Sequence, residues 1–163
     1  MAKNSFKQMA SIFKDRQLSI DLKVRLLTCY VWSVLLYGCE SWTLSVNTME
    51  NLEAAEMWFY RRMLRISYQD RVTNETVLQR VHQRRQLLNT IHTRQISFVG
   101  HVIRKGELEE LALNGKIKGK KARGRQRLSF LYQAKKSSNL TTERSIWDAA
   151  LSRKFCHHVS PMA

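Results

Sequence analysis

The stretch of sequence that decides the fold is residues 47–66, NTMENLEAAEMWFYRRMLRI. Its apolar side chains recur every three or four residues, a spacing that places them on one face of an α-helix. They are Met49, Leu52, Ala55, Phe59, Met63 and Ile66. Asn47 followed by Glu50 resembles a capping box, so we expect the helix to begin there. The stretch therefore predicts a long amphipathic helix with one buried face.

The charges of this stretch allow two interpretations. Acidic residues lie toward its N-terminus and basic residues toward its C-terminus: Glu50, Glu53, Glu56, Arg61, Arg62 and Arg65. That order complements the helix dipole, so the arginines can be purely structural. Arginine side chains at a helix end are equally suited to bind phosphate groups. Both interpretations stay open at the level of sequence.

A second core helix is predicted over residues 19–37. Ser19 is its expected N-cap, Asp21 lies in its first turn, and Gly38 follows its end. From Tyr30 to Tyr37 the side chains are apolar on every side, which predicts a central position in the core. The β-branched residues of this part are also compatible with a strand over residues 29–37.

Shorter helical patterns flank these two. Phe6 and Phe13 belong to a first short helix, and Thr73 with Thr76 opens another whose later part carries Arg80, Arg84 and Arg85. The helical period then continues from Leu87 toward Arg104. Weaker patterns predict a short acidic helix over residues 107–113 and a last helix over residues 141–151. The predicted fold class is all-α, an irregular helical bundle.

Composition and charge narrow the class of protein. The chain has one Pro, six Gly and a net charge of +15, and all of this excess lies in residues 61–163. Such asymmetry indicates a half that forms the fold and a half that meets a polyanion. Three Cys without a CxxC pair predict buried free thiols, with no disulfide framework. The longest uncharged stretch, residues 26–39, is too short to span a bilayer, so we expect no membrane partner.

Residues 115–127, GKIKGKKARGRQR, carry seven positive charges, no acid and three glycines. This basic arm is predicted to be extended and flexible. Lys and Arg on such a segment can follow phosphates without demanding one geometry. A solvated surface loop or a localisation signal is the alternative interpretation of such a run. Neither alternative includes base-specific readout.

No catalytic site can be assembled from the sequence. Tyr68-Gln69-Asp70 is followed by Arg71, so the paired carboxylates that hold two metal ions in nucleotidyl transfer are missing. His82, His92 and His101 do not have zinc-site spacing, and Cys156-His157-His158 lacks two further ligands. There is no phosphate-binding glycine loop and no nucleophile elbow. We therefore predict a chain that is not an enzyme and that has no metal and no cofactor.

Several ordered segments resemble one family, the non-LTR retrotransposon endonuclease–reverse transcriptases. The similar segments are residues 26–44 (LLTCYVWSVLLYGCESWTL), 56–67 (EMWFYRRMLRIS), 70–75 (DRVTNE), 98–104 (FVGHVIR), 115–119 (GKIKG) and 124–127 (GRQR). Together these segments cover most of residues 5–130 in the order that the family has. Residues 133–163 depart from the family pattern, which indicates drift or a frameshift.

The resemblance implies the helical thumb of the polymerase and the basic region beyond it. In that family the thumb grips the RNA template and the growing primer duplex, while the catalytic aspartates lie in the palm, upstream of these segments. Tyr60-Arg61-Arg62 and Gly124-Arg125-Gln126-Arg127 correspond to nucleic-acid contacts. The implied partners are RNA, DNA and the upstream palm domain. A start at Met1 in mid-polymerase implies a 5′-truncated element copy.

These observations combine into one prediction of organisation and function. Residues 1–114 are a helical, thumb-like domain, residues 115–127 the basic arm, and residues 128–163 a C-terminal helical segment. The function is non-specific RNA or DNA binding, in the nucleus or cytoplasm, and in the nucleus if the parental role applies. The rivals are a small basic interaction protein and a non-functional orphan fragment. The predicted nucleic-acid contacts are Arg61, Arg62, Arg65, Arg84, Arg85, Lys116, Lys118, Lys120, Lys121, Arg123, Arg125 and Arg127.

Overall fold

Helices account for the regular structure of the residues described. The structure, a computed structural model, describes residues 1–105 and Phe130. Its helices are α1 (Ala2–Gln8), α2 (Ala10–Lys14), α3 (Ile20–Leu26), a π-helix (Leu27–Trp32), α4 (Ser33–Leu35), α5 (Val46–Met63), α6 (Asn74–Val81) and α7 (Leu87–Lys105), with 3-10 turns at Cys39–Ser41 and Tyr68–Asp70. No strand occurs within residues 1–105. The all-α prediction is confirmed for these residues, and the basic arm lies outside them.

The chain forms two compact units. The first comprises Met1–Tyr37 and Val46–Leu88, and the second comprises Gly38–Ser45 and, among the described residues, those from Asn89 onward. The core of the first unit is built on α5, where Leu52, Phe59 and Met63 are buried as their spacing predicts. Asn47 lies inside α5, which begins at Val46, so the predicted N-cap position is wrong.

The predicted first helix is two helices that meet at Met9, whose φ of −95° and ψ of 12° interrupt the helical geometry. Phe6 and Phe13 nevertheless stack with their ring centroids 4.6 Å apart and their planes within 7°. The ring of Phe6 also lies 5.3 Å from that of Phe59 on α5. Burial of three aromatic rings therefore docks both short helices on α5.

The second core helix begins as predicted and is helical from Ile20 to Leu35, followed by a turn, so the strand alternative for residues 29–37 is wrong. The Ser19 hydroxyl accepts a hydrogen bond from the Leu22 N–H group at 3.3 Å, and Gly38 follows with a φ of +66°. The helix is not buried on all sides, however. Leu27 and Val31 are buried, whereas Tyr30 is 57% and Tyr37 86% exposed. Cys29 is also exposed, so the prediction that the thiols are buried holds for Cys39 and fails for Cys29.

The predicted continuity from residue 73 to residue 104 is interrupted. The Thr73 side chain caps α6, as expected, but α6 ends at Val81 and α7 begins at Leu87. Arg84 and Arg85 therefore lie in a connecting segment and not on a helix. The sequence predicted one continuous helix because α6 and α7 each bury one face, so apolar residues recur at helical spacing on both sides of the break. These residues are Val77 and Val81 on α6 and Leu87 and Ile91 on α7.

A buried carboxylate on α5 caps the start of α7. Glu56 on α5 is 1% exposed, and its Oε1 accepts hydrogen bonds from the backbone N–H groups of Gln86 (2.9 Å) and Leu87 (3.3 Å). The Tyr60 hydroxyl donates to the same oxygen at 3.3 Å. These backbone groups lie where a helix has no intrahelical partners, so Glu56 supplies the missing acceptor. Burial raises the pKa of Glu56, and the three donors oppose that shift.

His82 ends α6 at an energetic cost. Its φ of +53° is left-handed, and this geometry lets the Gln83 N–H group reach the Leu78 carbonyl at 3.1 Å. The left-handed conformation costs an L-residue about 1–2 kcal/mol, and glycine avoids that cost. Its exposed side chain makes no hydrogen bond, ion pair or ring contact with the described residues that would offset this cost.

Replacing His82 by glycine is therefore expected to raise the free energy of unfolding by about 0.5–1 kcal/mol, after allowing for the greater flexibility of glycine in the unfolded chain. Urea unfolding followed by far-UV circular dichroism measures the change. His82→Ala is the matched control, because alanine keeps the strained conformation and gains nothing. A glycine variant no more stable than the alanine variant contradicts the prediction.

Candidate nucleic-acid interface

A basic concave surface of the first unit lies at the C-terminal end of α5. There a groove of about 1090 Å³ runs between the last turns of α5 and the segment that leads into α6. We call it the arginine groove and define it by its charged and aromatic lining residues, which are Trp58, Arg61, Arg62, Tyr68 and Arg71. Ile66 and Val72 add apolar surface to the lining. A groove of this composition offers both cations and ring faces to a ligand.

Arg61 is held in place by the segment before α6. Its Nη2 donates to the Val72 carbonyl at 2.6 Å and to the Asn74 Oδ1 at 3.0 Å. A guanidinium carries five N–H donors in a rigid fork, so these two bonds fix its orientation and use only one of its nitrogens. Arg61 is thus a positioned cation in the lining of the arginine groove.

Arg62 and Trp58 form a cation–π pair. The Arg62 guanidinium carbon lies 6.0 Å from the centroid of the Trp58 ring, and the Lys3 ammonium lies 5.3 Å from it. Phe6 and Phe59 meet Trp58 edge-on at 5.6 and 5.2 Å. The tryptophan is therefore a half-buried platform that is supported by aromatic rings and that carries two cations.

The turn between α5 and α6 places the other two residues of the arginine groove, Tyr68 and Arg71, in its lining. Arg65 and Arg71 both adopt left-handed backbone conformations, with φ of +59° and +47°, and the 3-10 turn Tyr68–Asp70 lies between them. The Ser67 N–H group donates to Asp70 Oδ2 at 2.6 Å, which completes a capping box. Asp70, the only acid in residues 58–73, is thereby committed to the Ser67 backbone, while Arg71 lines the groove.

The other predicted contacts in the first unit lie elsewhere. Arg65 donates to the Lys14 carbonyl at the end of α2, a bond that supports the structural interpretation for this arginine. Arg85 is paired with Glu53, and Arg84 is exposed; neither lines the arginine groove. The seven predicted contacts of the basic arm, Lys116 to Arg127, lie outside the described residues.

The second unit has a smaller basic cleft of about 350 Å³. Its lining includes Arg94, Phe98, His101 and Arg104, which share one face of α7, together with Glu40. Arg94 lies 4.0 Å from Glu40, so part of its charge is balanced. Three of the family-like residues, Phe98, His101 and Arg104, are thus brought together. The cleft adds a second place where an anion can bind.

Sequence reasoning found Arg61 and Arg62 but assigned no role in binding to Trp58, Tyr68 or Arg71. Arg71 follows a short turn whose left-handed backbone has no signature in sequence, because glycine is the residue expected there. Trp58 was considered only as part of a family-like segment, and Tyr68 only in the sequence Tyr68-Gln69-Asp70, which lacks the paired carboxylates of a polymerase. The signal that could have identified the groove is the pair of aromatic residues Trp58 and Tyr68, each followed three positions later by an arginine.

Two general features complete the description of the site. Within residues 1–105 and Phe130, no group of three or more His, Cys, Asp or Glu side chains is arranged to hold a metal ion. In the same part of the chain, no helix combines the length and the apolar character needed to cross a membrane.

A comparison of the chain with protein-family models, with curated proteins and with solved structures finds no match.

Proposed function

We propose that this chain binds RNA or DNA through the phosphate backbone, without reading sequence, as the thumb and following basic region of a non-LTR retrotransposon reverse transcriptase. The observation that carries the proposal is the arginine groove, in which Arg61, Arg62 and Arg71 line one concavity. The only carboxylate nearby in sequence, Asp70, is bonded to the Ser67 backbone. A concave surface with three guanidinium groups favours a polyanionic ligand.

The same geometry argues for binding without polymerisation. In place of a second aspartate, Arg71 follows Asp70, and Asp70 serves as a helix-capping residue. Two-metal phosphoryl transfer needs carboxylates that are free to hold the ions. The proposal therefore assigns the grip on the template–primer to this chain, and the catalytic step to the palm of the parental polymerase.

The test is a titration of the full chain with nucleic acid at increasing salt. If the arginine groove neutralises about three phosphates, log K is expected to fall with log[salt] with a slope of about −2 on a single strand, from roughly −0.7 per phosphate. If the basic arm joins it and about six phosphates are neutralised, the slope on a duplex is about −5, from roughly −0.9 per phosphate. An affinity that does not depend on salt contradicts the proposal.

A primer-extension assay with metal ions and nucleotides tests the second half of the proposal. The purified chain is expected to extend no primer. An extended product that requires this chain contradicts the assignment of catalysis to another domain.

A second candidate function, a small protein-interaction module, is favoured by the exposed side of the second core helix. Tyr30, Val34 and Tyr37 lie there with large exposed apolar surfaces, which are common where a partner binds. In the parental polymerase that partner would be the palm, and the cellular site would be the nucleus. Deletion of residues 115–127 discriminates, because lost localisation with intact nucleic-acid binding favours the interaction module.

A further inference from the structure

We infer that the arginine groove selects unpaired nucleotides, with the ring of Tyr68 stacked on a base while the arginines hold the flanking phosphates. This inference rests on the proposed function and specifies its substrate class. It starts from Tyr68, which is 97% exposed although it is a large aromatic residue on the lining of a basic groove.

Tyr68 contributes almost nothing to the core, yet its backbone is fixed. The side chain buries about 3% of its surface, so hydrophobic stabilisation of the fold by this ring is negligible. The 3-10 turn that carries it is closed at both ends: the Asp70 N–H group donates to the Ser67 carbonyl at 3.3 Å, and the Ser67 N–H group donates to Asp70 Oδ2 at 2.6 Å. The protein thus places an aromatic ring and leaves both of its faces uncovered.

Three arginines that can bind phosphate line the same groove as this ring, namely Arg61, Arg62 and Arg71. Arg71 follows the turn in a left-handed conformation, which an arginine adopts only at an energetic cost. Arg61 is oriented by Val72 and Asn74, and Arg62 lies against Trp58. A nucleotide has one charged phosphate and one flat base, and the groove presents a partner for each.

Base pairing determines which nucleic acid can bind both to the arginines and to the ring of Tyr68. Phosphates are accessible in single strands and in duplexes, so the arginines alone do not distinguish them. The faces of bases inside a duplex are covered by their stacked neighbours, whereas unpaired bases can stack on an aromatic side chain. Tyr68 therefore adds affinity only for unpaired nucleotides, and it does so for any base, because every base has a π-face.

The experiment compares Tyr68 variants of the full chain on four probes at one salt concentration: a dT oligomer, an rU oligomer, an abasic oligomer of the same length, and a blunt DNA duplex. Tyr68→Leu is expected to weaken binding to the dT and rU oligomers about tenfold, which is the order of one base–aromatic stack. Tyr68→Phe is expected to bind within about twofold of the wild type, because the ring is kept. Binding of the abasic oligomer and the duplex is expected to be unchanged by either substitution.

Tyr37→Leu is the matched control. Tyr37 is 86% exposed in the same unit and does not line the groove. Its replacement removes an equivalent ring and is expected to leave binding of all four probes unchanged. Far-UV circular dichroism of each variant checks that the fold is retained.

The outcomes separate this inference from the function on which it rests. If Tyr68→Leu leaves single-strand binding intact, or weakens the duplex and the single strands equally, the selection of unpaired nucleotides is wrong and the backbone grip stands. If no probe binds the wild-type chain, the proposed function fails and the inference fails with it. An equal loss from Tyr37→Leu assigns the effect to surface rings in general and also overturns the inference.

Discussion

Replacing Glu56 by alanine is expected to lower the free energy of unfolding by about 2–3 kcal/mol, a substantial part of the roughly 5–15 kcal/mol by which folded domains are stable. Three donors share the Glu56 carboxylate: the backbone N–H groups of Gln86 and Leu87 and the Tyr60 hydroxyl. Leu87 and Tyr60 are fully buried, so water does not readily replace the lost acceptor. Urea unfolding at neutral pH measures the loss.

Part of this cost is offset, because the substitution also removes a buried charge. Burial raises the pKa of Glu56, because desolvation of the carboxylate outweighs the opposing hydrogen bonds and the nearby charge of Arg85. Each buried donor left without an acceptor costs about 1–3 kcal/mol. The expected loss of about 2–3 kcal/mol for Glu56→Ala is smaller than the sum for three donors, because the substitution also removes the cost of burying the carboxylate.

Glu56→Gln is the matched control. The amide keeps an acceptor oxygen and the shape of the side chain but has no charge, so the loss is expected to stay below about 1 kcal/mol. The pKa of Glu56 is higher in the folded chain than its ordinary value of 4.5. The folded state therefore binds more protons than the unfolded state above pH 4.5, and the stability of the wild type relative to Glu56→Gln falls as pH rises through the folded pKa. A constant difference across this range, or an alanine variant as stable as the wild type, contradicts this account.

The double charge reversal Arg62→Glu/Arg71→Glu is expected to weaken binding of a single-stranded oligomer about 30-fold at low salt. Each lost charge-assisted contact is worth about 1 kcal/mol at an exposed site, and the two carboxylates add repulsion. The salt slope is expected to become less steep by about 1.5, because two phosphates are no longer neutralised. Fluorescence anisotropy at several salt concentrations gives both quantities.

The control for total charge is Arg16→Glu/Arg25→Glu. Both arginines are exposed in the first unit and neither lines the arginine groove. This variant has the same net charge as the groove variant and is expected to lose only a few-fold in affinity through the weaker long-range field. If the two variants lose affinity equally, the groove has no special part in binding.

The sequence predicted helices best where burial is simple and periodic. Leu52, Phe59 and Met63 repeat at helical spacing and are buried in α5, and Ser19 and Thr73 cap the helices that they were expected to begin. In each case the determining interaction is local or depends on one face of one helix. Such interactions are encoded within a few residues.

The features that were not predicted depend on distant residues. Glu56 was interpreted as one of three acids favouring a helix dipole, but its partners lie 30 and 31 positions later in the chain. Because it caps the backbone there, α7 can begin at Leu87 after a break that the periodicity of residues 73–104 conceals. Tyr30 and Tyr37 were expected in the core and are exposed, since an apolar run does not reveal which side finds a partner.

The candidate site was predictable in part for the same reason. Arg61 and Arg62 stand out as a basic pair at the end of a helix, whereas the groove forms only when the turn over residues 64–71 bends the chain toward α6. Arg71 and Tyr68 enter the site through two left-handed residues that are not glycine. Residue type does not predict a left-handed conformation at a residue other than glycine, so these two positions could not be foreseen from the sequence.

The π-helix Leu27–Trp32 has a consequence for changes in chain length. Its hydrogen bonds span five residues where those of an α-helix span four, so each wide turn accommodates one residue more than an α-helical turn. Loss of one codon for an exposed residue, such as Cys29, would convert the wide turn to an ordinary one and keep Val24 and Leu36 on the buried side. An in-frame deletion of one exposed residue within this π-helix is therefore expected to cost the core of the first unit little stability.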